Sequence, residues 1–114
     1  MTTELRANSA ANGAAVALIE DSPGRFSARG RITFATARAA RQTGLAAFDG
    51  TSEQQIRVDC SGISASDSAG MAVLLDWLSA ARRAGRSLQY QNLPVQVQAI
   101  ARISDVLEML ERGV

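Results

Sequence analysis

The 114 residues contain no histidine and no lysine, a single cysteine, two prolines and only 4% aromatics. Histidine is the commonest general base and metal ligand, so its absence excludes catalytic triads, histidine-based zinc sites and zinc deaminase chemistry. Without lysine or a glycine-rich loop there is no Walker-type phosphate cradle. One cysteine, Cys60, excludes an internal disulfide framework and suits a reducing cytosol. No run of about eighteen apolar residues exists, so the sequence predicts no membrane-spanning helix. The polar start, Met1 to Ala11, lacks an apolar signal-peptide stretch, which argues against export. The scattered aromatics Phe26, Phe34, Phe48, Trp77 and Tyr90 offer no base-stacking platform. A net charge of +1 is likewise no electrostatic footprint for nucleic acid.

What is present is the composition of a globular domain: 46% hydrophobic and 20% charged residues, in a length that fits one domain. All 12 basic residues are arginine, which together with the many alanines reflects biased codon usage. Arg25, Arg29, Arg31, Arg38 and Arg41 fall close together. They read either as a solvated face of strand and helix or as a patch for an acidic partner, which arginine's planar fork would suit.

Residues 1–12 lack periodicity and read as a frayed lead-in to a domain spanning 13–114. Ala14 to Ile19 is a short apolar run, and Asp21-Ser22-Pro23-Gly24 signals a turn. Phe26, Ala28 and Gly30 alternate with Ser27, Arg29 and Arg31, completing a hairpin. Phe34 to Phe48 has helical spacing, with Thr33 or Thr36 available as a cap and Gly44 as an interruption. Gln55 to Cys60 alternates as a strand with Ile56, Val58 and Cys60 on the buried side, so the thiol reads as inert. Asp59 faces the other way and can fasten the following turn through Ser61 or Gly62. Ser61 to Ser66 reads as a small, polar connection.

From Ala69 to Arg83, Met71, Leu74, Leu75, Leu78 and Ala81 form an apolar stripe, and Gly85 suits the residue after the helix. Trp77 lies off that stripe, either at the rim of the core or as an interface anchor. Ser87 to Gln91 is a further strand. Pro94 opens a helix with Val97, Ile100 and Ala101 on one side. A last helix carries Ile103, Val106, Leu107 and Leu110. Strand and helix therefore alternate, which predicts an α/β domain with a mixed sheet of about four strands and helices packed against it.

One segment carries a chemical signature. Asp67-Ser68-Ala69-Gly70 places a hydroxyl at a helix N-terminus, where free N–H groups and the positive end of the dipole gather. Ser68 or Asp67 can cap that helix. A phosphate on Ser68 would also be well placed, opposed by the charge of Asp67.

Val58-Asp59-Cys60-Ser61-Gly62-Ile63, followed by Asp67-Ser68-Ala69-Gly70-Met71 and a leucine-rich helix, resembles the STAS domain of sulfate transporters and anti-sigma factor antagonists. Gly30-Arg31-Ile32-Thr33-Phe34-Ala35-Thr36, Ser87-Leu88-Gln89-Tyr90 and Leu93-Pro94-Val95-Gln96 extend the resemblance over residues 14–110. In the anti-sigma antagonists the hydroxyl residue after the Asp accepts phosphate from a partner kinase, and Ser68 holds that position. Those proteins usually read Asp-Ser-Ser-Gly. Ala69 is more similar to the MlaB-like STAS subunits of phospholipid-transporting ABC systems in Gram-negative bacteria. That resemblance implies a non-catalytic cytoplasmic subunit, peripheral to the inner membrane through its complex, that needs no cofactor and binds the transporter's ATPase. Its docking residues would be Asp67, Ser68, Ala69, Gly70, Met71 and Asp76. The other branch implies an anti-sigma factor kinase as the partner and Ser68 as the phosphoacceptor.

Overall fold

The computed structural model describes residues 16–112, so the expected lead-in over residues 1–12 lies outside the described residues. Four strands and four helices follow one another as β1 (Ala17–Ser22), β2 (Arg25–Ile32), α1 (Ala37–Asp49), β3 (Gln55–Ser66), α2 (Ser68–Arg83), β4 (Ser87–Gln91), α3 (Val95–Ile103) and α4 (Leu107–Arg112). The sheet order is β1-β2-β3-β4. The β1–β2 hairpin is antiparallel, and β2, β3 and β4 run parallel. The expected mixed α/β domain is therefore the observed one. None of the helices in the described part is long and apolar enough to cross a membrane.

The hairpin turns one step later than the sequence suggests. Asp21 and Ser22 belong to β1, and the reversal falls on Pro23 and on Gly24, whose positive φ of 77° needs glycine. Glu20 stabilises this corner: one carboxylate oxygen accepts from the Gly24 amide at 3.0 Å and the Thr51 hydroxyl at 2.9 Å.

One face of the sheet is buried. Phe26, Ala28 and Ile32 of β2, Ile56, Val58, Cys60 and Ile63 of β3, and Leu88 and Tyr90 of β4 all point beneath the helices. The helices supply Ala40, Phe48, Val73, Leu74, Trp77, Leu78, Ala81, Val97, Ala101 and Leu110. Helix α1 packs on α2, α2 on α3, and α4 against β4. The alternate strand residues, among them Arg25, Arg29, Gln55, Arg57 and Gln91, are exposed. Among the described residues the result is two layers, with helices on one face of the sheet only.

Four expectations are corrected here. Strand β3 does not stop at Cys60 but continues to Ser66, because β2 offers it a partner all the way: Arg29 pairs with Gly62, Gly30 with Ile63 and Ile32 with Ser66. That pairing outweighs the weak strand preference of a small, polar segment. Gly44 does not interrupt α1; it is buried inside the helix, where the ring of Trp77 occupies the place a Cβ would take. Trp77 is neither at the rim nor an anchor for a partner. It is 0% exposed, with its Nε1–H donating to the Arg41 carbonyl at 3.3 Å. Phe26, Phe48 and Trp77 form an edge-to-face series with centroids 5.4 and 5.8 Å apart. Ile103, finally, ends α3 and is 86% exposed, so it contributes nothing to the core beneath α4.

Local chemistry explains the helix ends. Gly85 is the expected residue past α2: its N–H meets the Arg82 carbonyl at 3.0 Å, and the Arg86 N–H meets that of Ala81 at 2.8 Å. Asp105, at φ 61°, plays the same part after α3, with Val106 N–H bonded to the Ala101 carbonyl at 2.9 Å. The Arg86 side chain reaches across to the carbonyls of Phe48 and Thr51, placing a cation at the C-terminal end of α1.

Candidate functional site

The C-terminal ends of β2 and β3 and the first turn of α2 meet at one end of the molecule. Asp67 is the N-cap of α2. Its backbone is extended, and its Oδ1 accepts the Gly70 N–H at 3.0 Å. Its other oxygen, Oδ2, accepts the Phe34 N–H at 3.1 Å, so one carboxylate joins the helix to the turn after β2. These bonds, first from Phe34 and then from Gly70, hold the Asp67 carboxyl below its ordinary range.

The sequence left the cap open between Asp67 and Ser68, and Asp67 takes it. Ser68 is thereby the first residue of the helix, exposed, with its hydroxyl not needed for capping. Ala69 is half-buried beside it. Gly70 is buried, and a Cβ there would overlap the Ile32 carbonyl oxygen, so glycine lets α2 start directly against the end of β2. Met71 is half-buried and packs on the core. Asp76 lies two turns further along, about 12 Å down the axis, where it pairs with Arg41 of α1 at 3.2 Å. The structure therefore gathers Asp67, Ser68 and Ala69 at the tip, sets Gly70 and Met71 beneath it, and places Asp76 apart.

Phe34 is the feature the sequence reading missed. Helical spacing puts it in α1, but Thr36 closes a turn instead: its hydroxyl donates to the Arg31 carbonyl at 2.8 Å and accepts the Thr33 N–H at 3.0 Å. Thr36 stands at the cap position of α1 without capping it. The turn leaves Phe34 85% exposed beside Asp67. Beneath this tip the hydroxyls of Thr33 and Ser66 are buried without a partner among the described residues. Unmet polar groups of this kind cost about 1–3 kcal/mol each.

Asp59 fastens the middle of β3. Its Oδ1 accepts the Ser61 N–H at 3.0 Å and the Asn92 amide at 3.1 Å, and these bonds lower its pKa. Cys60 points into the core, and burial pushes its thiol up to about 12, far from a nucleophile's range. No cluster of metal-ligating side chains occurs among the described residues.

The mixed four-stranded sheet covered on one side by helices, with a helix leaving β3, matches the STAS fold. The anti-sigma factor antagonist SpoIIAA in its unphosphorylated form shares it at a TM-score of 0.62 and 16% identity, over 82% of this chain and 83% of that one. The inward-facing murine Solute Carrier 26 family member A9 anion transporter contains a similar domain, with a TM-score of 0.60 and 21% identity. That match covers 82% of this chain but only 18% of the transporter. No curated protein matches the sequence. The sequence model described as "Mlab, STAS domain" matches residues 17–111, and the chain belongs to that family.

Proposed function

We propose that the chain is a non-catalytic STAS subunit that binds and supports the ATPase of a phospholipid-transporting, Mla-type ABC system. In that role it is cytoplasmic, peripheral to the inner membrane through its complex, and serves the lipid asymmetry of the outer membrane. The observation that carries this reading is the tip of α2: Ser68 stands exposed at the first helical position with its capping duty already met by Asp67, whose carboxylate also holds the backbone N–H of the exposed Phe34. Phe34 is an exposed aromatic of the kind that protein interfaces enrich. The docking residues are Asp67, Ser68, Ala69 and Phe34. Gly70 and Met71 set the position of the helix start, and Asp76 marks the far limit of the surface along α2. Membership of the MlaB-type family and the alanine at position 69 support the transporter branch.

Ser68→Glu tests the assignment. The side chain is exposed and does not cap, so the variant folds as the parent does, while its charge beside Asp67 repels an apposed surface. Affinity for the purified ATPase falls, and unchanged affinity would remove Ser68 from the interface. The second reading, an anti-sigma factor antagonist, rests on the same exposed hydroxyl at a helix N-terminus. It requires phosphate on Ser68 and a kinase as the partner.

A further inference from the structure

The sheet face that none of the described residues covers, behind the helices, carries a charge arrangement that the Ser68 surface does not use. Across the parallel strands the register places Arg25 beside Arg57 and Arg57 beside Gln89, and in the next row Ser27 beside Asp59 and Asp59 beside Gln91. Arg25 and Arg57 are both exposed, on strands about 4.8 Å apart. Like charges directly opposed in a sheet are destabilising, yet neither arginine has a carboxylate within ion-pair distance among the described residues, where the ion pairs are Arg41–Asp76 and Arg112–Glu108. Of the nearby carboxylates, Asp21 accepts from the Ser27 hydroxyl and Asp59 from Ser61 and Asn92, while Glu53 lines one of the hollows beside the pair without forming an ion pair with either arginine among the described residues. Two shallow hollows of about 240 and 210 Å³ lie on either side of the pair, and Arg25 and Arg57 line both.

We propose that this face is a second docking surface, for an acidic protein segment whose carboxylate is held between Arg25 and Arg57. Two planar guanidinium groups offer paired hydrogen bonds that fit a carboxylate. Of the polar side chains on the face, Gln91 can meet backbone groups of a peptide, whereas the Ser27 hydroxyl is given to Asp21 and the Gln89 amide to the Arg112 carbonyl at 2.9 Å; Ile19, across from Ser27, adds a half-exposed apolar contact. Asp21 and Asp59 on the same face disfavour a uniformly anionic lipid surface, which would repel them. The partner chemistry is thus spaced acidic side chains on a polypeptide.

The test uses the ¹⁵N-labelled full chain, titrated with a peptide of alternating Glu and Ala, its Gln counterpart, inorganic phosphate, and vesicles of phosphatidylglycerol. The Glu peptide shifts the amide and Nε–H signals of Arg25 and Arg57, and the Gln peptide does not. Arg25→Gln with Arg57→Gln weakens the peptide by about tenfold or more, while Ser68→Glu leaves it unchanged. Arg57→Gln alone keeps a native spectrum and melts at or above the parent's temperature, because it removes the opposed charges. No shift with the Glu peptide, an equal shift with the Gln peptide, or binding to phosphate or vesicles in its place would overturn the proposal.

Discussion

Gly44→Ala separates helix propensity from packing, because the two predict opposite signs. In the interior of α1, alanine should gain about 1 kcal/mol over glycine. The structure reverses this. The atoms nearest to a Cβ at residue 44 are Cε2, Nε1 and Cζ2 of Trp77, all on the indole and all closer than real contacts allow. The ring cannot retreat, since it is wholly buried and rests edge-on against Phe48. Overpacking costs about 1–3 kcal/mol, and disturbing the bond from Nε1 to the Arg41 carbonyl adds about 0.5–1.5 kcal/mol. The net expectation is a loss of about 1–3 kcal/mol. Urea unfolding followed by the fluorescence of Trp77, the sole tryptophan, and by circular dichroism measures it. In a Trp77→Phe background the smaller ring vacates the space, and Gly44→Ala becomes neutral or stabilising there. A Gly44→Ala variant more stable than the parent, with no coupling to Trp77, would mean that the indole does not fill this side of α1.

Leu74→Ala costs about 2–5 kcal/mol as a core truncation, whereas half-buried Leu75→Ala costs less than half as much; equal losses in urea would mean the helix is rotated. Asp67→Ala forfeits about 0.5–2 kcal/mol of capping. Because the folded Asp67 pKa is depressed, that contribution is fully present above the ordinary value of 3.8 and lost as pH falls through the lower folded value. Parent and variant therefore converge in acid, and a constant gap would exclude the carboxylate. Cys60 has the opposite sign: its raised pKa contributes stability that is complete below 9.0 and lost as pH rises towards about 12. Cys60→Ala should flatten the alkaline decline over that window in urea midpoints, leaving the part due to Tyr90, which burial also raises. Parallel curves would contradict it.

What could be read from the sequence was whatever shows in local periodicity. Strand β4 and helix α2 follow from alternation and from a 3.6-residue stripe, and the turn at Gly85 follows from the need for positive φ. The cap of α2 was narrowed to two adjacent residues. The remainder depended on distant partners. Ser61 to Ser66 becomes strand only because β2 pairs with it. Gly44 resembles a helix breaker until Trp77 occupies its vacant side. Arg86 secures the end of α1 from 38 residues away, and Phe34 reaches the candidate site through a bond spanning 33 residues. No spacing rule detects contacts of that range.

Docking of the α2 tip on a transporter ATPase can be followed by capturing the tagged full chain from its native host. Mass spectrometry then identifies its partners and the state of Ser68. An ABC ATPase with its permease should be recovered, and lost when Ser68→Glu is used as bait, with Ser68 unmodified in the parent. Recovery of a small kinase instead, with phosphate on Ser68, would contradict that docking.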